Sequence, residues 1–280
     1  KDKMETVSPE RMSEAVAMIR QHMEEQREVK DPERKTQLAI VHGAGSFGHF
    51  QARKYNLSKG VNGHSESIYG AALCRQSVTK LGHIFVEKLL KANVPAVSVS
   101  PFPSTILKDR TLSIEGALNC TKGILDAGFI PVIHGDVTLD SERGFTILSG
   151  DKIIESLCRS LKPMRAVFIT DVRGIYDRPP HENGARILES LRIDRDSGEM
   201  HNGIELKTTK AKHDVTGGIR AKLKSAIRIV KDHGIEVFIG KVGTPEAQDA
   251  LRSLDVGGTS PTEISGYNKC EGNGGGSQKS

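Results

Sequence analysis

The stretch Val41 to Phe50, VHGAGSFGHF, constrains this chain most: Gly43, Gly45 and Gly48 fall within six positions, directly after the apolar run Leu38-Ala39-Ile40-Val41. Residues without a Cβ let the main chain approach a ligand closely, and a buried strand running into such glycines delivers backbone N–H groups to one point. That arrangement cradles an anion. His49 at the far end of the loop adds a side-chain donor that can carry charge near neutral pH. One glycine-rich turn after a strand is commonplace. Here three further Gly-centred segments follow strand-like runs: HGDVTLDSERGFTILSGD with Gly135-Asp136 and Gly150-Asp151, TDVRG with Gly174, and TGG with Gly217-Gly218.

Around these loops, helical and extended patterns alternate. Ser8 to Val29 reads as a helix, with Ser8 as cap, Pro9 in the first turn, and Met12, Val16, Ile19 and Met23 forming one apolar stripe. A strand at Gln37–His42 leads into the glycine loop, a polar loop fills Gln51–His64, and a long helix spans Ser65–Asn93. Its first turns, around Ile68 and Tyr69, come nearest in sequence to the glycine loop and are suited to line an apolar pocket. Strands follow at Pro95–Val99 and Phe129–Ile133, with a helix at about Ser113–Ala127 between them. The second half continues with a helix at Asp151–Leu161, a strand at Arg165–Thr170, a helix at Ile219–His233, a strand at Ile235–Ile239 and a helix at Pro245–Leu254. Such alternation implies a largely parallel sheet covered on both faces, an α/β three-layer sandwich.

The polar residues fall where this architecture places ligands. Gly150-Asp151 opens a helix, so its amides sit at a positive helix end; Asp151 is either the cap or a residue that positions lysines around a phosphate, and the two roles are compatible. Asp171 ends a strand with Gly174 three residues on, the position at which open α/β sheets hold ligands. Gly217-Gly218 begins a helix with Lys222 one turn in, a phosphate-binding entry with a cation beside it. Asp194, Asp196, Glu199 and His201 crowd an irregular stretch but match no calcium or zinc spacing, and read as a solvated loop.

Composition narrows the partners. A net charge of +5 from 40 basic and 35 acidic residues, with 4% aromatics and no Trp, suits an anionic small molecule and offers few platforms for stacking bases. The expectation is no nucleic acid and, since no apolar run approaches a bilayer span, no membrane. Cys74, Cys120, Cys158 and Cys270 form no CxxC pair, which fits reduced thiols in a cytoplasmic protein. One domain is expected over 1–265, with halves at about 1–165 and about 166–265, and a disordered low-complexity tail at 266–280.

The motifs VHGAGSFGH, HGDV, LSGD, TDVRGIYDRPP and DVTGGIRAKLKSA, in this order, resemble the amino acid kinase superfamily, and its isopentenyl phosphate kinase branch in particular. The resemblance runs over roughly Lys1 to Ser265, and the histidine closing HGAGSFGH is specific to that branch. It implies transfer of the γ-phosphoryl of ATP to isopentenyl phosphate in isoprenoid biosynthesis, with Mg²⁺ carried by ATP, in a homodimer. Ala44 and Gly150 would then hold the acceptor phosphate through backbone N–H groups and His49 through its side chain. Gly45, Asp171, Gly174, Gly218 and Lys222 would serve the nucleotide, and Asp151 would orient lysines. Lys1 looks like the second of the two lysines near the family's start; the strand before it, bearing Lys-x-Gly-Gly, has no counterpart in the sequence, so weakened kinase activity is expected. Two alternatives stand beside this reading. One is a same-fold kinase of another phosphate or phosphonate, of the fosfomycin type; the other is a non-catalytic nucleotide-binding module.

Overall fold

The structure, a computed structural model, describes residues 3–61, 65–178, 180, 182–200, 217–252 and 261–267. Lys1, Cys270, His201 and the stretch beyond Tyr267 therefore lie outside the described residues. The chain divides into two compact units, Lys1–Leu161 and Lys162–Ser280.

In the first unit the order is α1 (Pro9–Glu28), β1 (Ile40–His42), α2 (Gly45–Lys54), α3 (Ser65–Lys91), β2 (Ala96–Val99), β3 (Thr105–Lys108), β4 (Thr111–Glu115), α4 (Gly116–Asn119), α5 (Thr121–Asp126), β5 (Ile130–His134), β6 (Asp136–Asp140), β7 (Gly144–Leu148) and α6 (Gly150–Leu161). The strands β1-β5-β2 form a wholly parallel sheet, and β4-β3-β6-β7 form a second, largely antiparallel one. Alternation along the parallel strands sorts their side chains. Ile40, Ile130 and Val132 join Ile19 of α1 and Phe85 and Leu89 of α3 on one face, whereas Val41 and Ile133 join Ile153 and Leu157 of α6 on the other. Helices thus cover both faces, as the sequence pattern predicts. The expected stripe on α1 is real: Ser8 Oγ accepts the Arg11 N–H at 3.4 Å, and Met12, Val16 and Met23 pack with Ile19 against α3 and the sheet.

Three expectations need correction here. The polar loop at Gln51–His64 begins instead as helix, since α2 runs to Lys54 and a 3-10 turn follows at Leu57–Lys59. Phe47 and Leu57 are buried, and Gly48 lets α2 approach α3, because a Cβ there would lie 3.1 Å from Val78. The helix expected at Ser113–Ala127 starts only at Gly116, because Thr111–Glu115 pairs with Thr105–Lys108 in a hairpin. Its turn residues Asp109 and Arg110 both have positive φ, 43° and 67°, without any glycine to announce it. The third concerns HGDVTLDSERGFTILSGD, whose middle is a second hairpin, β6–β7, rather than loop.

Asp140 holds both turns. Its buried carboxylate accepts the backbone N–H groups of Asp109 (3.2 Å), Arg110 (2.7 Å), Glu142 (3.0 Å) and Arg143 (3.0 Å). Burial works to raise its pKa, but those four donors outweigh it and hold the carboxyl below its usual value.

The second unit contains β8 (Arg165–Thr170), β9 (Ser190–Asp194), α7 (Gly217–His233), β10 (Glu236–Lys241), α8 (Pro245–Arg252) and β11 (Thr262–Tyr267). Its sheet runs β8-β10-β11-β9, antiparallel only between β10 and β11. α7 packs on one face, with Lys222 over Phe168 and Val230 beside Gly266, and α8 on the other, with Ala247 against Gly240. β9 lies in the stretch expected to be irregular; its buried Leu191 and Ile193 alternate with exposed Ser190 and Arg192. Gly266 and Tyr267, expected to open the tail, pair instead with Ile193 and Asp194. Asp194 is a turn-former, accepting the N–H groups of Asp196 (2.9 Å) and Ser197 (3.2 Å).

Two stability predictions follow from this packing. Asp140→Ala leaves four amides without their acceptor, and chemical denaturation is expected to register a loss of about 2–4 kcal/mol; an unchanged midpoint would show that the hairpin turns stand without it. The second concerns His134, which is fully buried; burial first, then the His42 ring beside it, holds its pKa at about 4 rather than 6.5. The unfolded chain therefore takes up this proton more readily, so stability is full above about pH 6.5 and declines as pH falls toward 4, by about 3 kcal/mol for this group. Urea unfolding at stepped pH should show that decline, and it should be shallower in His134→Asn.

Candidate functional site

In the first unit three glycine loops come together where β1 and β5 end. The parallel register pairs His42 with His134, the last residue of each strand, and the Gly135 N–H donates to the His42 carbonyl at 3.1 Å. Gly135 also lies against the start of α6, since a Cβ there would be 3.2 Å from the Gly150 nitrogen. Gly150 in turn would place a Cβ 3.5 Å from Val41 Cγ1 and 3.7 Å from the His42 carbonyl oxygen. The segments Gly43–Gly45, Gly135 and Gly150 thus form one cluster. A Cβ at Gly43 or Gly45 would meet nothing within 4 Å, so that side of the cluster is open.

Two helices begin at this cluster. α2 starts at Gly45, whose φ of +50° is left-handed, and its N-cap Ala44 offers no side chain to the first-turn amides. The first turn contains no acidic residue either, so the positive end of α2 is not answered by a carboxylate of its own. α6 is different. Ser149 Oγ accepts the Lys152 N–H at 3.3 Å, so Ser149 caps this helix and Asp151 sits inside its first turn. Of the two roles considered for Asp151, cap and lysine positioner, the first belongs to Ser149. His49 lies exposed one turn into α2.

The start of α2 is anchored from both sides of the chain. Ser46 Oγ donates to the Thr6 carbonyl at 2.8 Å and accepts the Thr6 N–H at 3.0 Å, while the Glu5 N–H donates to the Ser46 carbonyl at 3.3 Å. The Glu5 carboxylate continues the link to α3, accepting from Ser77 Oγ at 2.8 Å and from Lys80 Nζ. Behind the cluster, buried Asp136 pairs with Arg75, which also donates to Ser100 Oγ at 3.2 Å and stacks 4.4 Å from the Phe102 ring centroid. Burial pushes the Asp136 carboxyl up to about 7 against the opposing pull of the Arg75 guanidinium.

The second unit holds the remaining expected residues at the carboxyl end of its sheet. Asp171 and Gly174 follow β8, and Thr170 Oγ1 stiffens the exit by donating to the Val172 carbonyl at 2.8 Å. Gly174 is buried, and its lack of a Cβ serves packing: a Cβ would lie 2.5 Å from Thr262 Oγ1, which accepts the Ile175 N–H at 2.8 Å. Gly218 is exposed, with open space where a Cβ would stand, in an α7 first turn that has no acidic residue. Lys222 lies one turn along, half-buried, its Nζ 5.6 Å from the centroid of Phe168 and thus near the end of β8.

The structure therefore brings Gly135 and Gly150 to the end of β1, just ahead of Ala44 and Gly45, in one unit and groups Asp171, Gly174 and Lys222 around the end of β8 in the other; Lys1 lies outside the described residues. Residue-type reasoning passed over His42, Ser46 and the Glu5–Thr6 anchor. Only His42 had a visible signal, the apolar-His-Gly tripeptide that recurs at 41–43 and 133–135.

Among the described residues no three His, Cys, Asp or Glu side chains are grouped to hold a metal ion, and no helix is long and apolar enough to cross a membrane. The chain is 39% identical over 225 residues to a protein of Arabidopsis thaliana named isopentenyl phosphate kinase, spanning 77% of this chain and 68% of that one. With the isopentenyl phosphate kinase of Methanothermobacter thermautotrophicus it shares 33% over 230 residues, 79% of this chain and 83% of the relative. A solved isopentenyl phosphate kinase superposes with a TM-score of 0.72 at 26% identity, covering 93% of this chain and 92% of that one. The model of the amino acid kinase family matches residues 5–241, the stretch that carries both groups of glycine loops, and the chain belongs to that family.

Proposed function

We propose that this kinase transfers the γ-phosphoryl group of ATP to isopentenyl phosphate, giving isopentenyl diphosphate and ADP. The observation that carries the reading is the approach of Gly135 and Gly150 to His42, directly before the Gly43–Gly45 loop and the uncapped start of α2, which supports a cradle of main-chain donors suited to a small phosphate. Similarity to relatives named isopentenyl phosphate kinase supports the choice of acceptor.

In this reading the first unit takes the acceptor. The N–H groups of Ala44 and Gly150 bind its phosphate, His49 adds a side-chain donor, and exposed Ile68 and Tyr69 on α3 are candidates to meet the hydrocarbon tail. The second unit takes the nucleotide through Asp171, the α7 start at Gly218 and the ammonium of Lys222, with Gly174 shaping the loop. Gly45 contributes a main-chain amide in the first unit, Asp151 orients neighbouring lysines, and Lys1 supplies a further cation. Mg²⁺ travels with ATP, and no protein cluster is asked to hold it. The proposed setting is a cytoplasmic homodimer.

The chemistry asks little else of the protein. A phosphate monoester has its second pKa near about 6, so the attacking oxygen is ionised at neutral pH and needs no general base. The obstacle is repulsion between two polyanions, met by holding them in line and by placing donors and cations where charge accumulates.

A panel of phosphates and phosphonates assayed with ATP tests the assignment. Isopentenyl phosphate should give the highest kcat/KM, and a higher value for fosfomycin or another phosphonate would replace it. In His49→Ala, acceptor turnover is expected to fall by about 10²-fold or more while ATP affinity stays within about twofold; equal losses for both substrates would remove His49 from the acceptor site.

A further inference from the structure

The two histidines behind the cradle are built alike. His42 and His134 are register partners at the ends of β1 and β5, each preceding a glycine, and both rings lie on the sheet face toward α3. Gly82 of α3 makes room for them: a Cβ there would stand 3.5 Å from His42 Nε2 and 3.5 Å from His134 Cδ2. The ring centroids are 5.7 Å apart, and Phe85 closes edge-on against His42 at 5.8 Å.

Each ring turns its Nδ1 onto the carbonyl of the glycine that follows, 3.2 Å from His42 to Gly43 and 3.3 Å from His134 to Gly135. A carbonyl can only accept, so Nδ1 bears the proton in both rings. Both Nε2 atoms are buried without a hydrogen-bond partner. A second proton there would be a buried charged donor with nothing to receive it, so the neutral Nδ1–H tautomer is the one this pocket accommodates. Burial acts in the same direction, lowering the pKa of His42.

The consequence lies in the peptide that follows. The Gly43 carbonyl and the Ala44 N–H belong to one planar trans peptide and point in opposite directions. A glycine at 43 would otherwise leave that plane free to rotate. We propose that His42 is a positioning residue for the acceptor site: its Nδ1–H holds the Gly43 carbonyl inward and thereby turns the Ala44 N–H outward, on the open side of the glycine cluster, to receive the phosphate. His134 does the equivalent for Gly135, whose placement sets the distance to Gly150. This inference rests on the acceptor phosphate binding at Ala44.

Three substitutions separate positioning from bulk. Asn places an amide N–H close to where Nδ1 stands, Gln places its amide N–H further out, and Leu has no donor. In His42→Leu and His42→Gln the KM for isopentenyl phosphate is expected to rise about ten- to a hundredfold, with the KM for ATP within about twofold. His42→Asn should recover to within about threefold of the parent. The proposal is overturned if His42→Leu keeps the parental acceptor KM, if His42→Asn is as impaired as His42→Leu, or if acceptor and ATP constants rise together. A second readout follows the Ala44 amide resonance by NMR while inorganic phosphate is added. It should shift in the parent and in His42→Asn and stay still in His42→Leu, whichever organic phosphate proves to be the substrate. A parent that binds phosphate at Ala44 without phosphorylating isopentenyl phosphate would refute the substrate assignment and leave the role of His42 intact. A parent whose Ala44 amide does not respond to phosphate would refute the role of His42.

Discussion

The parallel pairing of β1 with β5 is the constraint on which the first unit depends. Three residue pairs, Ile40 with Val132, Val41 with Ile133 and His42 with His134, bring both strands to an end at the same level. Because side chains alternate, a slip by one residue would move Ile40 away from α3 and Val41 away from α6, exchanging two apolar surfaces that are each already packed. The register therefore follows from core packing. The site inherits it: two glycine loops leave the sheet side by side, and the Gly135 N–H closes on the His42 carbonyl. Hydrophobic burial below fixes the position of main-chain donors above.

The same logic explains which parts of the molecule were legible in its sequence. α1, α3, α6, α7, β5 and β8 were visible because each has a long apolar period and a recognisable boundary, such as Ser8-Pro9 before α1 or Gly150-Asp151 at α6. The glycine loops stand out in the sequence because several of them follow strand-like runs. The β3–β4 hairpin was hidden for a specific reason. Its turn at Asp109-Arg110 adopts positive φ without glycine or asparagine, a conformation stabilised from outside by a carboxylate some thirty residues later in the chain, at Asp140. Nothing near residue 109 reports that support. β9 was hidden by its polar surroundings, since Leu191 and Ile193 show their period over too few residues to stand out. Glycine at 174 shows a different limit: its spacing after the strand does not reveal that its absent side chain also makes way for Thr262.

The longer helices of the two units differ in how their starts are answered. α1 and α6 have an acidic residue in the first turn and a serine whose hydroxyl accepts from one first-turn amide, so their positive ends are partly answered internally. α2 and α7 have no acidic residue there and begin with glycine. At α2 and α7 the lack of an acid coincides with open space at Gly43, Gly45 and Gly218, whereas the equally acid-free start of α4 is packed, a Cβ at Gly116 lying 2.2 Å from the Ser104 carbonyl oxygen. A positive helix end without an internal acid costs the folded protein some stability, and an anionic ligand restores it.

Neutral groups behind the first-unit cradle complete this picture. A cationic imidazole buried at His42 would also attract phosphate, but it would require a partner for Nε2 and would lose its effect as pH rises through its titration. A neutral ring with its proton on Nδ1 acts only through geometry, and geometry does not titrate at neutral pH. Further along the helices, His49 on α2 is exposed and Lys222 on α7 half-buried, the side chains that the proposed function assigns to the two substrates. On the proposed function, orientation falls to buried, uncharged groups and attraction to accessible ones. This division lets a rigid set of amides meet a phosphate whose own charge changes near physiological pH.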